Sequence, residues 1–177
     1  MITFGYYWKK ELVRLADRLQ KRSSQKRWTF PSTASLEKEV FVGAYSVRKL
    51  MESDKVSRSI AGRPVTLTFY PIRREKGEEP PKHFTHRFEL GGGVRQELKI
   101  EHLMNQFIHS YYFSPFVPFG KNMAGIFVAS DRDRKMGLYY ITLGNLSAIF
   151  RRVGNESVSS REIDQLLEGE SLWGGRE

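Results

Sequence analysis

Trp8, Leu12, Leu15 and Leu19 recur at i, i+4, i+7 and i+11, which draws one narrow apolar stripe along a helix near the start of the chain. Lys10, Arg14 and Lys21 fall on the opposite side, interrupted by Asp17. Ser23-Ser24 breaks the pattern, and Pro31-Ser32 reads as a second helix start, with Glu37 and Glu39 placed near the positive end of its dipole. From Leu36 to Met51 apolar residues occur on nearly every side (Val40, Phe41, Val42, Ala44, Tyr45, Val47, Leu50), which predicts a central, buried helix ending near Ser53-Asp54.

The pattern then changes period. Residues 55–63 read as a polar, basic linker, and Val65-Thr66-Leu67-Thr68-Phe69-Tyr70 as a strand. Residues 73–82, with Gly77 and Pro80-Pro81, form an exposed loop, and residues 83–90 can extend again as a hairpin partner. Residues 94–110 are predicted to be helical. Residues 111–117 are aromatic and extended, restricted by Pro115 and Pro118 to an edge or irregular strand. Strands over 124–129 and 138–143 flank a polar hairpin loop, and residues 144–153 form a short helix. Ser159 and Glu162 offer a capping box for a last, acidic helix. Helices, then strands with one helix among them, then helices give an α+β fold. Its N-terminal helices pack on a small, mainly antiparallel sheet with an inserted helix at about 95–110 and a short C-terminal helix. The 177 residues read as a single domain, with a helical part at about 6–54, a sheet-containing part at about 64–153 and an acidic helix and tail at about 160–177.

Composition narrows the function classes. There is no cysteine, so disulfides, thiolate metal sites and a Cys nucleophile are excluded. The N-terminus does not read as a signal peptide, and the longest nearly uncharged run, residues 111–120, is too short to span a bilayer. The expectation is a cytoplasmic protein. The net charge of +9 is uneven: residues 1–60 hold 13 Lys and Arg against 6 Asp and Glu, whereas residues 131–177 hold 7 against 8. An excess of that size at one end favours a polyanionic partner.

All four histidines, His83, His86, His102 and His109, lie in one stretch divided by Gly91-Gly92-Gly93. In a strand, positions i and i+3 point to opposite faces, so His83 and His86 diverge. In the helix expected after the glycines, Ile100, Leu103, Met104, Phe107 and Ile108 fill one arc, while His102, Asn105 and His109 share the other, with Glu101 and Gln106 at its margins. His102 and His109 are about 10.5 Å apart along the axis, too far to share a metal ion. No metal and no cofactor is expected. Three glycines before a helix start, with Arg95 in the first turn, would suit an anion, although they match no nucleotide-binding motif. Asp131-Arg132-Asp133-Arg134-Lys135 contains an Asp-x-Lys, but at a hairpin tip such alternating charges are ordinary solubility devices. No nucleophile elbow is present.

The leading expectation is therefore a non-enzymatic binding or regulatory domain. It would contact nucleic acid or another polyanion through Lys10, Arg14, Lys21, Arg22, Lys26 and Arg27, with Trp28 available to stack on bases. A competing expectation is a small hydrolase or phosphate-ligand protein centred on Gly91–Gly93, Arg95, His102, Asn105 and His109. It requires the polar side of that helix to line a concavity. A third is a homo-oligomer that self-associates through the last helix and Trp173.

Overall fold

The computed structural model of the chain describes residues 2–73, 87–117 and 124–157. Its elements, in order, are α1 (Gly5–Arg22), α2 (Phe30–Glu52), α3 (Arg58–Ala61), β1 (Pro64–Pro71), β2 (Val94–Lys99), α4 (Ile100–Ile108), β3 (Ser110–Phe116), β4 (Gly125–Ser130), β5 (Gly137–Thr142) and α5 (Leu143–Gly154). The five strands form one antiparallel sheet in the order β2-β1-β5-β4-β3. The fold is α+β, with N-terminal helices, an inserted helix and a C-terminal helix among the described elements. The helix expected from Ser159 onwards, and His83 and His86, lie outside the described residues.

Strand alternation assigns the two sheet faces. Val65, Leu67 and Phe69 of β1, Ile126 and Val128 of β4, and Tyr139 and Ile141 of β5 point into the main core, together with the helices. The next residues along, Tyr70, Phe127, Ala129, Leu138 and Tyr140, form a smaller apolar layer on the reverse face with Phe88. Helices α4 and α5 lie directly on the sheet; α1 packs mainly on α5 and α2, outermost. Helix α2 runs against α4, and Phe41 reaches Phe113 of β3, the ring centroids 5.1 Å apart.

Three expectations need correction. First, residues 94–99 are not helical. Gln96 and Leu98 alternate with the exposed Arg95, Glu97 and Lys99, and this two-residue period makes β2 the partner of β1, leaving only nine residues to α4. Second, α2 is not buried all round: Leu36, Val40, Gly43, Ala44, Val47 and Leu50 face the core, while Val42 and Tyr45 are exposed and Phe30 is 94% exposed. Third, α2 begins earlier than Pro31-Ser32 suggests. Thr29 is its N-cap in a reciprocal pair with Ser32, so Glu37 and Glu39 lie beyond the first turn. Glu39 instead accepts from Arg22 of α1, Nε at 2.6 Å and Nη2 at 3.0 Å, and clamps the two helices together. The stretch at 55–63, read as a linker, contains the single turn α3. In α1, Leu12, Leu15 and Leu19 are buried as the stripe requires, but Trp8 stands at the rim of exposure.

Two glycines set how closely the helices approach. A Cβ on Gly43 would overlap the Phe150 ring of α5, and one on Gly154 would stand 2.7 Å from the Lys9 carbonyl oxygen of α1. Overpacking of this kind costs about 1–3 kcal/mol. Gly43→Ala is accordingly expected to lower unfolding stability in urea by about 1–3 kcal/mol. Lys38→Ala, on the exposed side of the same helix, should stay within about 0.5 kcal/mol. A Gly43→Ala protein as stable as the parent would contradict the α2–α5 contact.

Candidate functional sites

Helix α4 presents two faces with different fates. Ile100, Leu103, Met104 and Phe107 are buried, and so is Gln106, a residue that helical spacing alone placed at the margin. The Gln106 amide is held at both ends. Its Oε1 accepts the backbone N–H of Ser130 at 3.0 Å, and its Nε2 donates to Asp133 Oδ2 at 2.7 Å. Asp133 N–H in turn donates to Ser130 Oγ at 3.2 Å, and the His109 carbonyl accepts Asp131 N–H at 2.9 Å. This ties the end of α4 to the β4–β5 turn. Arg134 completes the lock, bonded to Asp131 at 2.9 Å and stacked 3.8 Å from the Tyr111 ring centroid. Asp131, Asp133 and Arg134 are therefore structural fasteners, and Asp133 is only 14% exposed, whereas Arg132 and Lys135 of the same run are exposed.

Between α4 and this turn lies a cavity of about 430 Å³. His102, Asn105 and His109 all line it, opposite Ser130, Arg132 and Asp133, with Leu98 and Met136 as its apolar part. The polar side of α4 is thus concave, as the competing expectation requires. Among the described residues, the side chains of His102, Asn105 and His109 form no hydrogen bond, and no group of three His, Asp or Glu is placed to hold a metal ion. Behind the turn, burial, and secondarily the charge of Asp133, push the Tyr139 hydroxyl above the ordinary phenol range. Gly91–Gly93 and Arg95 do not join this cavity. The glycines precede β2 rather than a helix, so no helix N-terminus stands behind them, and Arg95 is exposed on the edge strand.

The N-terminal cations divide into spent and available ones. Arg22 is consumed by Glu39, Ser35 and the Ser32 carbonyl. Arg14 and Arg18 both reach Glu11, and the hydrogen bond from Arg18 holds that carboxyl below the ordinary range despite the opposing effect of its partial burial. Trp28 is half-buried against the core, its indole N–H on the Gln25 carbonyl. Lys21, Lys26 and Arg27 are exposed. Lys10 is exposed too, its ammonium 5.9 Å from the Tyr6 ring.

A second group of cations was not singled out from the sequence. Three clefts follow one another along α5. The first, of about 280 Å³, is lined by Arg63, Asn145 and Arg152 among others. The second, about 490 Å³, shares Ala148 and Arg152 with it and adds Arg151 and Gln20. The third, about 380 Å³, shares Asn155 with the second and adds Tyr6, Lys9, Lys10 and Arg14. No acidic side chain lines any of the three. Arg151 is paired with Asp17 at 2.6 Å, whereas Arg63 and Arg152 make no ion pair with a described residue. The signal in the sequence is faint: Arg151-Arg152 adjoin at the end of a helix, and Arg63 lies 88 positions earlier.

No protein-family model, curated protein or solved structure matches this chain.

The lock on the turn can be tested directly. Gln106→Leu strands the Ser130 N–H and the Asp133 carboxylate, at a cost of about 2–3 kcal/mol in urea denaturation. Asn105→Leu, one position earlier, removes no bond within the protein and should change stability by less than about 0.5 kcal/mol. Equal effects from the two substitutions would show that Gln106 is not the fastener.

Proposed function

We propose that the protein is a non-enzymatic cytoplasmic binding domain that holds a nucleic-acid strand along the cationic clefts of α1 and α5. The observation that carries this reading is the run of three adjoining clefts with no acid among their linings, in which Arg63, Arg152 and Lys10 make no ion pair with a described residue, while Arg151 and Arg14 on the same walls are drawn to Asp17 and Glu11. A polyanion gains from such a track because each phosphate neutralised releases condensed counterions. Concave, like-charged walls add to that attraction by focusing the field. Among the described residues no helix is long and apolar enough to cross a membrane, so the basic side of α1 is read as a surface for an anion rather than as the flank of a span.

The reading shifts weight within the basic region. Lys10 stays in it, joined by Arg63 and Arg152, while Arg14 is drawn to Glu11. Lys21, Lys26 and Arg27 continue it beyond the clefts, while Arg22, with its guanidinium bound to Glu39, and Trp28, with its indole committed to the core, leave it. Stacking on bases falls to Tyr6, which lines the third cleft and is 39% exposed.

The test is a salt titration with single-stranded RNA and DNA oligonucleotides. The affinity is expected to fall linearly on a log–log plot, with a slope of about −0.7 per phosphate contacted. Arg152→Glu combined with Lys10→Glu should weaken binding at least about tenfold and flatten that slope by about 1 to 2. Binding without salt dependence, binding only to anionic vesicles, or indifference to the double charge reversal would each overturn the proposal.

A further inference from the structure

We infer that the cavity under α4 is a second, independent site, which takes a small uncharged planar heterocycle of the nucleobase class, with Asn105 reading its edge. This does not rest on the polyanion track, which uses other residues and another chemistry.

The first argument is charge. The cation on the cavity wall, Arg132, is 93% exposed and extends into solvent, and the anion, Asp133, is 14% exposed and already accepts from Gln106. Arg132 Nε lies 3.9 Å from Asp133 Oδ1, so the two formal charges offset each other. A bare phosphate gains little from such a wall, unlike in the clefts along α5.

The second argument is the polar groups that line the cavity, with His102 and His109 exposed to solvent and Asn105 half-buried. Gln106 has both ends of its amide engaged, which fixes Ser130 and Asp133 as a rigid side of the cavity. The lining side chains without a hydrogen bond among the described residues include His102, Asn105 and His109. A carboxamide carries donors and an acceptor side by side, and a neutral imidazole carries one of each. Such groups select a ligand with the same alternation along an edge. A nucleobase has one, and a carboxamide can pair with an adenine edge in bidentate fashion.

The third argument is shape. His102 and Asn105 stand at i and i+3 on one side of α4, and His109, the C-cap beyond its last turn, lines the same cavity, giving a row about 10 Å long. That length suits a fused ring with its substituent, bonded at the centre and flanked by an imidazole at each end. Leu98 and Met136 supply apolar contact for the ring faces. The cavity, about 430 Å³, falls within the range of small-molecule sites.

The experiment is an NMR titration of the intact chain with adenosine, guanosine, cytidine and uridine, alongside ribose and inorganic phosphate. At least one nucleoside should saturate, with Kd on the order of 0.1 mM, and move amide signals at 102–109 and 130–136. Ribose and phosphate should move none there. Asn105→Asp, which keeps the size of the side chain but not its donors, and Asn105→Ala should each weaken binding at least about tenfold, since a lost bidentate pair is worth about that or more. Arg152→Glu should leave nucleoside binding unchanged, which separates this outcome from failure of the polyanion track. Absence of saturation by all four nucleosides, equal shifts from phosphate, or undiminished binding in both Asn105 variants with an unaltered melt would overturn the inference.

Discussion

Helix α4 must carry the chain from one edge of the sheet to the other, and most of the fold follows from how short it is. Lys99, at the end of β2, pairs with Pro64, whereas Ser110, at the start of β3, pairs with Ser130 near the opposite end of the sheet. Four strand spacings at about 4.8 Å and about seven residues of strand rise at about 3.3 Å would put those points roughly 30 Å apart on a flat sheet. Nine helical residues and two extended steps reach only about 20 Å. The sheet therefore has to twist and coil, at about 20–25° per strand, until these two corners approach on the helix side. That coiling creates the concave face that Leu103, Met104 and Phe107 fill. The remaining helices pack outward from it.

The same constraint explains why a polar cavity exists at this place. A helix stretched between two edges has one face on the sheet and one turned away from it. Its C-terminal end arrives where the β4–β5 turn passes, and the turn has to be held off the helix at a fixed distance. Gln106 does this with one amide that bonds a backbone N–H and a carboxylate at once. The space left between the fastened turn and the outer helix face is lined by whatever the sequence places there, namely His102, Asn105 and His109. A structural fastener and a candidate binding wall are thus neighbours on one helix, separated by a single residue step in the case of Asn105 and Gln106.

Much of this was legible in the chain, and the exceptions have definite causes. The Leu stripe of α1, the β-branched alternation of β1 and the two later strands were readable because each element has one period and one wet side. Residues 94–99 were misread because α4 follows them without a loop, so no break marks where the helical period of Ile100, Leu103, Met104 and Phe107 begins. Only the pairing of Leu98 with Val65 and of Gln96 with Leu67 decides between helix and strand, and pairing is a long-range fact. His102 and Asn105 were legible because they depend on helical spacing alone, whereas His109 joins them as the C-cap that follows the last turn of α4. Gln106, Ser130 and Asp133 were not, since a glutamine beside a polar row and an aspartate in a charged turn look solvated until the turn is seen bonded to the helix. The cations of α5 escaped for a similar reason: Arg63 and Arg152 come together only when β1 and α5 pack.

Local charge counting also overstated the N-terminal helix. Of its cations, Arg22 and Arg18 are drawn to Glu39, Arg14 and Arg18 to Glu11, and Asp17 holds Arg151 of α5. Apart from Arg22–Glu39, whose side chains are 16% and 14% exposed, these ion pairs are exposed enough to add little to stability, about 0–1 kcal/mol each. They nevertheless redirect the surface field, because a guanidinium beside a carboxylate presents almost no net charge to a distant phosphate. What is left of the cationic field among the described residues includes Lys10, Lys21, Lys26 and Arg27 at the front of the chain and Arg63 and Arg152 beside α5. At the cavity under α4, Arg132 and Asp133 lie 3.9 Å apart and offset each other in the same way. One chain thus offers unpaired cations on one flank and an offset pair at its polar cavity. β5 joins the two regions, leading from the fastened turn into α5, and is buried along most of its length. A strand packed on both faces resists sliding, because close-packed neighbours on each side must shift with it.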